Sequence, residues 1–502
     1  MGMEAGAPGP SSRKRKASAH EAPAPAPTAV EAPGAEPTAE DREPPLPGAD
    51  GDGGGAGGDR ISDLPDAVLG DIVSLLPTKE GARTQVLASR WRHLWRSAPL
   101  SLDHRYFLFD EEGLDVAISR VLAAHLGPGR RFCAPVYHLP GDRADAWLRS
   151  PALDNLQELE LCSFSYMLPY PPPTKQLPPS AAFRFSDTLL VFTIGDCHLT
   201  DDITQVLHFP KLQKLALKRV LISESSLHIM IAACPALECL LIRKSSGFRC
   251  VRINSISLRS IGVSGYSPRG LNFEELIIEN APCLESLLIL GSCECGLISV
   301  ISAPKLEALG YLSSHYGTRI SFDSTVIERL SVDRLTTAVC TVKILAVDMH
   351  ALSLDTVLDL MGCFPCLEKL YIQSTGPGNT NFWRRKHRTL IRSLDIRLKT
   401  IVWRCYRGIK SHADFATFFV LNAGVLELMT FEVDVEDFNE EFCAQHRKML
   451  QVDSRASRGA RIRFTSDWSY KYHMDFSIHD LGPADPFERT YPLKGDTTFV
   501  LC

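Results

Sequence analysis

Apolar positions become regular only after residue 59. Leu64, Val68, Leu69, Ile72, Leu75 and Leu76 then recur at helical spacing on one face. The pattern predicts a helix capped by Ser62 or Asp63, with Pro65 in the first turn, where its missing N–H costs little. Pro77 ends it. Thr78 predicts the cap of a second short helix carrying Val86 and Leu87, and in a third Trp91, Leu94 and Trp95 share a face. Three short helices within roughly 40 residues bury a very small core, and such a unit relies on a partner or a neighbouring domain.

From about residue 150 to 375 a different beat takes over. Pro210-Lys211-Leu212-Gln213-Lys214-Leu215, Pro235-Ala236-Leu237-Glu238-Cys239-Leu240, Pro282-Cys283-Leu284-Glu285-Ser286-Leu287, Pro304-Lys305-Leu306-Glu307-Ala308-Leu309 and Pro365-Cys366-Leu367-Glu368-Lys369-Leu370 share one pattern. Leu153 to Leu161 keeps it without the proline. The prolines are 25, 47, 22 and 61 residues apart. A leucine-rich repeat takes roughly 20–29 residues. The first and third gaps therefore hold one repeat, the second two, and the last two or three with one too degenerate to see. In each beat the proline turns the chain and a short strand follows, with alternate residues pointing into a core that no single repeat can bury alone.

Further on, Leu398, Ile401, Val402 and Trp403 predict a strand, Asp414 to Ala423 a helix with Phe415, Phe418, Phe419 and Leu421, Val425 to Val433 a strand, and Phe442 to Leu450 a helix.

Leu64-Pro65, Leu69, Ile72, Leu75-Leu76-Pro77, Thr84, Val86-Leu87, Arg90-Trp91 and Leu94-Trp95 together resemble a plant-type F-box over residues 60–103. One departure is Ala88-Ser89, where that family more often has Ser-Lys. The resemblance implies docking on a Skp-family adaptor, and through it a cullin–RING ubiquitin ligase. The implied adaptor-binding residues are Leu64, Pro65, Val68, Leu69, Ile72, Leu75, Leu76, Pro77, Leu87, Trp91, Leu94 and Trp95. The beats resemble the degenerate leucine-rich repeats that follow plant F-boxes. They imply a solenoid with a parallel sheet, capturing substrate on its concave face or at its loops. Tyr406-Arg407-Gly408, Phe418 and Asn422-Ala423-x-Val425-Leu426-x-x-Met429-Thr430 resemble the FBD domain that accompanies both.

The expected fold is therefore α/β. A tail at 1–59 precedes the three-helix F-box at 60–103, and a connecting helix and strand follow at 104–149. A leucine-rich-repeat solenoid is expected at 150–380, an α+β FBD-like module at 381–470 and a C-terminal segment at 471–502. The resemblance implies a non-catalytic substrate-recognition adaptor whose protein target is unknown. The alternative is a repeat scaffold or nucleic-acid-binding protein whose helical module serves internal packing. A helix-turn-helix would use Arg90, Arg92 and Arg96, but the two tryptophans on that helix suit burial or a protein interface better than base readout.

Composition narrows the alternatives. At 502 residues, with 45% apolar and 23% charged, the chain predicts two or three domains. A net charge of −5 is not that of a protein organised around neutralising phosphates, so nucleic acid is not an expected partner. The densest basic run of the folded part, Trp383 to Arg388, reads as an exposed loop, with phosphate pairing and stacking on RNA or another polyanion as its alternative. Residues 1–59 are rich in Ala, Pro and Gly and cannot bury enough surface to order, so disorder is expected there. Within them, Arg13-Lys14-Arg15-Lys16 is either a nuclear-localisation signal or a solubilising cluster.

The 15 cysteines sit mostly in apolar stretches, and the first ten residues carry no secretory pattern. A reducing compartment, nucleus and/or cytoplasm, is the expectation. The longest apolar stretch, near Leu227 to Ile242, is broken by His228, Pro235 and Glu238, short of the roughly 20 residues of a membrane span. Cys363-Phe364-Pro365-Cys366 has CxxC spacing but lies on a repeat beat without a second pair, and Cys283, Cys293 and Cys295 lack histidine partners at finger spacing. Neither metal nor cofactor is expected. Walker, nucleophile-elbow, metalloprotease and EF-hand motifs are all missing from the sequence, and no carboxylate pair stands out for acid–base work.

Overall fold

The computed structural model describes residues 61–488, except 62, 77, 107–110, 136–140, 163–175, 266–272, 291–295, 315–316, 336, 375, 377–394 and 467–475, and the backbone of Thr498–Leu501. The N-terminal tail with Arg13–Lys16, Pro77, Cys293, Cys295 and the basic run Trp383 to Arg388 lie outside the described residues.

Each repeat beat becomes one strand of a 15-stranded sheet. Neighbouring strands are parallel from Leu100–Asp103 to Arg461–Ser466, and Thr498–Leu501 closes the far edge antiparallel. Register stacks like on like. Leu215 and Leu217 lie beside Leu240 and Ile242, which lie beside Ile261 and Val263 and then Leu287 and Ile289. All eight are at most 3% exposed, the pattern of a parallel sheet with one face in a continuous core. Each such side chain contributes about 1.5–3 kcal/mol by leaving water, which no repeat could realise without its neighbour.

The gaps between beats resolve accordingly. Strand Ser260–Ser264 supplies the second repeat between Pro235 and Pro282. Only one strand of the 15-stranded sheet, Ile344–Met349, falls between Ala308–Ser313 and Lys369–Ser374 among the described residues. The last gap therefore holds two repeats. Register sets Ala308 opposite Ile344, so Val342 occupies the place of Leu306 and Cys340 that of the proline, which hid this beat from view. The surplus chain forms Arg319–Phe322, Thr325–Glu328 and Ser331–Arg334. These belong to a second, six-stranded sheet that the sequence pattern did not predict.

The sheet does not break where the FBD-like module was expected to begin. Thr400–Arg404, Leu428–Val433 and Arg461–Ser466 continue it in parallel, with helices Lys410–Asn422 and Glu440–Met449 between them. One backbone device crosses the boundary: the carbonyls of Glu307, Lys343, Glu368, Lys399 and Glu427 each accept an amide from the next unit. Leu398 and Leu426, both at most 1% exposed, keep the leucine beat in this region. At the other end the sheet already starts at Leu100–Asp103, inside the stretch assigned to the F-box, and passes through Gly129–Ala134.

A second apolar cluster lies on the sheet's open face, the one turned away from the repeat core. There Phe476, Ile478, Leu481 and Phe487 of the C-terminal segment lie against Ala216, Leu241, Leu288 and Tyr371. No helix among the described residues is long and apolar enough to cross a membrane.

Candidate protein-docking face

Helix α1 spans Asp66–Leu75, α2 Thr78–Arg83 and α3 Trp91–Ser97. Pro65 is the residue before the first turn, with extended backbone (ψ 148), and no side chain caps the helix. Val86 and Leu87 follow α2 in a 3₁₀ turn, Thr84–Val86, rather than lying on the helix itself.

The apolar residues of α1 do not share one face. Leu69 and Val73, 0% and 2% exposed, turn inward. Val68, Ile72 and Leu75, at 42%, 43% and 68%, form a stripe towards solvent. Ile61, Val86 and Leu87 are exposed as well, Val86 at 84%. Leu94 on α3 is buried at 5%, while Trp91, Trp95, Leu64 and Leu76 are half-buried and Pro65 is exposed. Of the implied adaptor-binding residues, Leu69 and Leu94 are therefore sealed in the module's own core, out of reach of a partner. Ile61 and Val86 join the apolar surface although neither is among the implied adaptor-binding residues. Spacing at i, i+4 and i+7 marks both a core stripe and a docking stripe, and cannot say which of two faces inward.

The module is bolted to the sheet. The Thr78 hydroxyl donates to the Ser101 carbonyl at 2.8 Å and accepts from the Asp103 amide at 3.1 Å. Arg130 donates to Ser74 Oγ at 2.7 Å. Trp95 sits edge-on to His125 at 5.3 Å, and Arg90 joins α3 to α1 through Asp66 (2.7 Å) and the Leu64 carbonyl (2.5 Å). A three-helix unit too small to hold itself is thereby stabilised by its neighbour, and its outward stripe is held at a fixed angle.

Where the sheet begins, polar groups meet on its open face. Asp103, His104 and Cys133 have ligand atoms within 4.8 Å of one another. Their surroundings do not suit a cation. Arg105 pairs with Asp103, and Arg131 reaches both Asp103 (3.3 Å) and Glu158 (2.5 Å). Burial, with Glu160 and Asp103 beside it, pushes the Cys133 thiol up, so it stays protonated and donates to Glu160 Oε2 at 3.4 Å. Burial alone would raise Asp103, but the Arg105 hydrogen bond and the charges of Arg105 and Arg131 outweigh it and hold the carboxyl below its ordinary range. Glu158 is likewise held low, its burial outweighed by His479 and Arg131.

Because both folded-state values lie below the unfolded ones, this stabilisation is complete above about pH 4–5 and is lost as pH falls through the depressed values. The thermal midpoints of wild type and Asp103→Asn should therefore differ at pH 6 and converge towards pH 3. A gap that stays constant with pH would refute the assignment.

The CxxC pair is structural. Cys363 is fully buried at the end of helix Leu354–Cys363, burial lifts its thiol to about 11, and both it and Cys366 are free. In the FBD-like region, Tyr406-Arg407-Gly408 has a steric reason. Gly408 has φ +65, and a Cβ there would lie 2.4 Å from His446 Nε2.

The family model described as "FBD-associated F-box protein At5g56370, LRR repeats" matches residues 144–372, and the FBD model matches 386–431. The chain is similar to the Arabidopsis thaliana F-box/FBD/LRR-repeat protein At2g04230, 28% identical over 269 residues, covering 50% of this chain and 57% of that one. It is also similar to the FBD-associated F-box protein At5g56370 of Arabidopsis thaliana, 27% identical over 404 residues, covering 74% and 90%. The Arabidopsis F-box/FBD/LRR-repeat protein At3g26920 is 26% identical over 404 residues, covering 75% and 89%. Against three relatives headed by At2g04230, the chain spans only 52–57% of their length.

Proposed function

Since the chain belongs to the plant F-box/FBD/leucine-rich-repeat family, we propose that it is a substrate-recognition adaptor of a Skp–cullin–F-box ubiquitin ligase. The observation that carries this reading is the solvent-facing stripe Val68, Ile72 and Leu75, with Val86 and Leu87 also exposed, on a module fixed to the sheet. An exposed apolar group of this kind is costly in water and is the feature an interface buries. The stripe takes the Skp adaptor, the repeat body takes the target, and an E2 enzyme brought by the other subunits does the chemistry. The chain contributes proximity: it converts an encounter in solution into one within a complex. The reading places it in the nucleus and/or cytoplasm. Fluorescence imaging with Arg13–Lys16 replaced by alanine checks the nuclear part.

The bridging role is tested by gel filtration of the full chain with a purified plant cullin, with and without a Skp adaptor. The cullin should co-elute only when the adaptor is present. Three separate peaks in the full mixture would end the proposal.

A further inference from the structure

The face on which a target is expected is already covered. Between strands Glu158–Leu161 and Thr400–Arg404 the open face is lined centrally by small and aliphatic side chains: Ala216, Leu241, Gly262, Leu288, Ala308 and Ala346. Against it lie Phe476, Ile478, Leu481 and Phe487 of the C-terminal segment, each at most 5% exposed. The fit is close. A Cβ on Gly262 would come within 3.2 Å of Leu481 Cδ2.

Polar contacts fix the segment's direction and register. Asp485 Oδ2 lies 2.6 Å from Lys369 Nζ and accepts from the Tyr371 hydroxyl at 3.0 Å. Arg404 donates to the Phe487 carbonyl at 2.6 Å, and the Phe487 ring packs at 5.3 Å and 5.4 Å from Tyr311 and Tyr371. At the other end His479 meets Glu158 at 2.9 Å.

The manner of attachment differs from that of a strand. The amides of Asp480, Gly482 and Glu488 bond within the segment, to Ser477, His479 and Asp485. Side chains and the Leu481 and Phe487 carbonyls make contacts from it to the sheet. The strands beneath it pair with one another, irregularly only between Leu309 and Leu312, so the segment can leave without breaking a strand pairing.

We propose that this open face is a binding surface for a short, turn-forming peptide carrying an aliphatic residue, a carboxylate and an aromatic in the order of Leu481, Asp485 and Phe487, and that residues 476–488 are a detachable occupant held in cis. A partner segment of that chemistry would meet the same seats: the small-residue trough for its aliphatic side chain, Lys369 and Tyr371 for its carboxylate, and Tyr311 and Tyr371 for its ring. A tethered occupant acts at an effective concentration in the millimolar range, so it excludes weak competitors and yields to stronger or locally concentrated ones. The proposal deepens the reading above by naming where a target is taken. Its test uses no Skp adaptor, so the two can fail separately.

The probe is a fluorescent synthetic peptide of residues 476–488, titrated into the full wild-type chain and into the full chain bearing Asp485→Ala and Phe487→Ala. The released variant should bind it about ten- to a hundredfold more tightly than wild type, the factor by which a tethered competitor raises the apparent Kd. Adding Lys369→Ala should remove most of that binding. A folded released variant that binds no better than wild type overturns the proposal. Hydrogen exchange on wild type decides independently of whether the variant folds. The Gly482 and Glu488 amides should exchange about a hundredfold or more faster than those of strands Lys214–Lys218 and Cys239–Arg243, the mark of a local opening. Exchange as slow as the strands would make the segment a permanent layer of the fold and refute the idea.

Discussion

Trp403→Ala is expected to lower the unfolding free energy by about 3–5 kcal/mol, the range for removing a large aromatic from a closed core. Trp403 is 0% exposed on strand Thr400–Arg404. It meets Tyr406 and Phe415 edge-on at 5.3 Å, and His412 at 5.0 Å. Phe431 on the next strand lies 6.2 Å away. Removing the indole empties the junction between the last leucine beats and helix Lys410–Asn422, whose Phe415, Phe418 and Phe419 are all buried. Trp403→Phe separates volume from polarity. The indole N–H meets no acceptor among the described residues, so replacing it with a phenyl ring loses no hydrogen bond there and should cost less than about 1.5 kcal/mol. Urea unfolding of the two variants checks both values. A loss below about 1 kcal/mol for Trp403→Ala would mean that the FBD-like region is not part of the continuous core.

Ile72→Glu/Leu75→Glu should abolish Skp-adaptor binding and leave the fold unchanged. Both side chains point to solvent in the free chain, at 43% and 68% exposure, so carboxylates there stay hydrated until a partner arrives. In an apolar interface each becomes an unpaired buried charge costing about 2–5 kcal/mol. Together they should weaken binding by a thousandfold or more, at about 1.4 kcal/mol per tenfold. Leu69→Ala provides the contrast. Its side chain is 0% exposed, so the change opens a cavity, destabilises the module by about 2–5 kcal/mol, and affects binding only through folding. Circular dichroism beside the binding measurement distinguishes the two. Binding by the double variant at wild-type strength would move the docking site off this stripe.

How much was legible follows from what a period can encode. The strands after Pro210, Pro235, Pro282, Pro304 and Pro365 were readable because proline, leucine and alternation coincide there. The beat at Val342 was not, since a valine without proline carries the same burial with none of the signature. By motif, Leu398 and Leu426 belong to a separate module. The sheet joins them to the repeats through backbone bonds that residue type does not encode. The F-box motif falls on helices that do form but mixes core and surface, because Leu69 and Ile72 are both strongly apolar and only packing tells them apart. The segment from Phe476 to Phe487 has no period at all. The available hint lay elsewhere, in the outward positions of the central strands. Ala216, Gly262 and Ala346 stand there, where a solvated face would carry polar side chains.

The most direct measurement is titration calorimetry of the intact wild-type chain with a purified plant Skp adaptor, run beside Ile72→Glu/Leu75→Glu. The predicted result is saturable one-to-one binding by the wild type and no binding heat from the equally folded variant. A folded wild-type chain that gives no binding heat at concentrations where plant F-box modules should saturate would contradict the adaptor role.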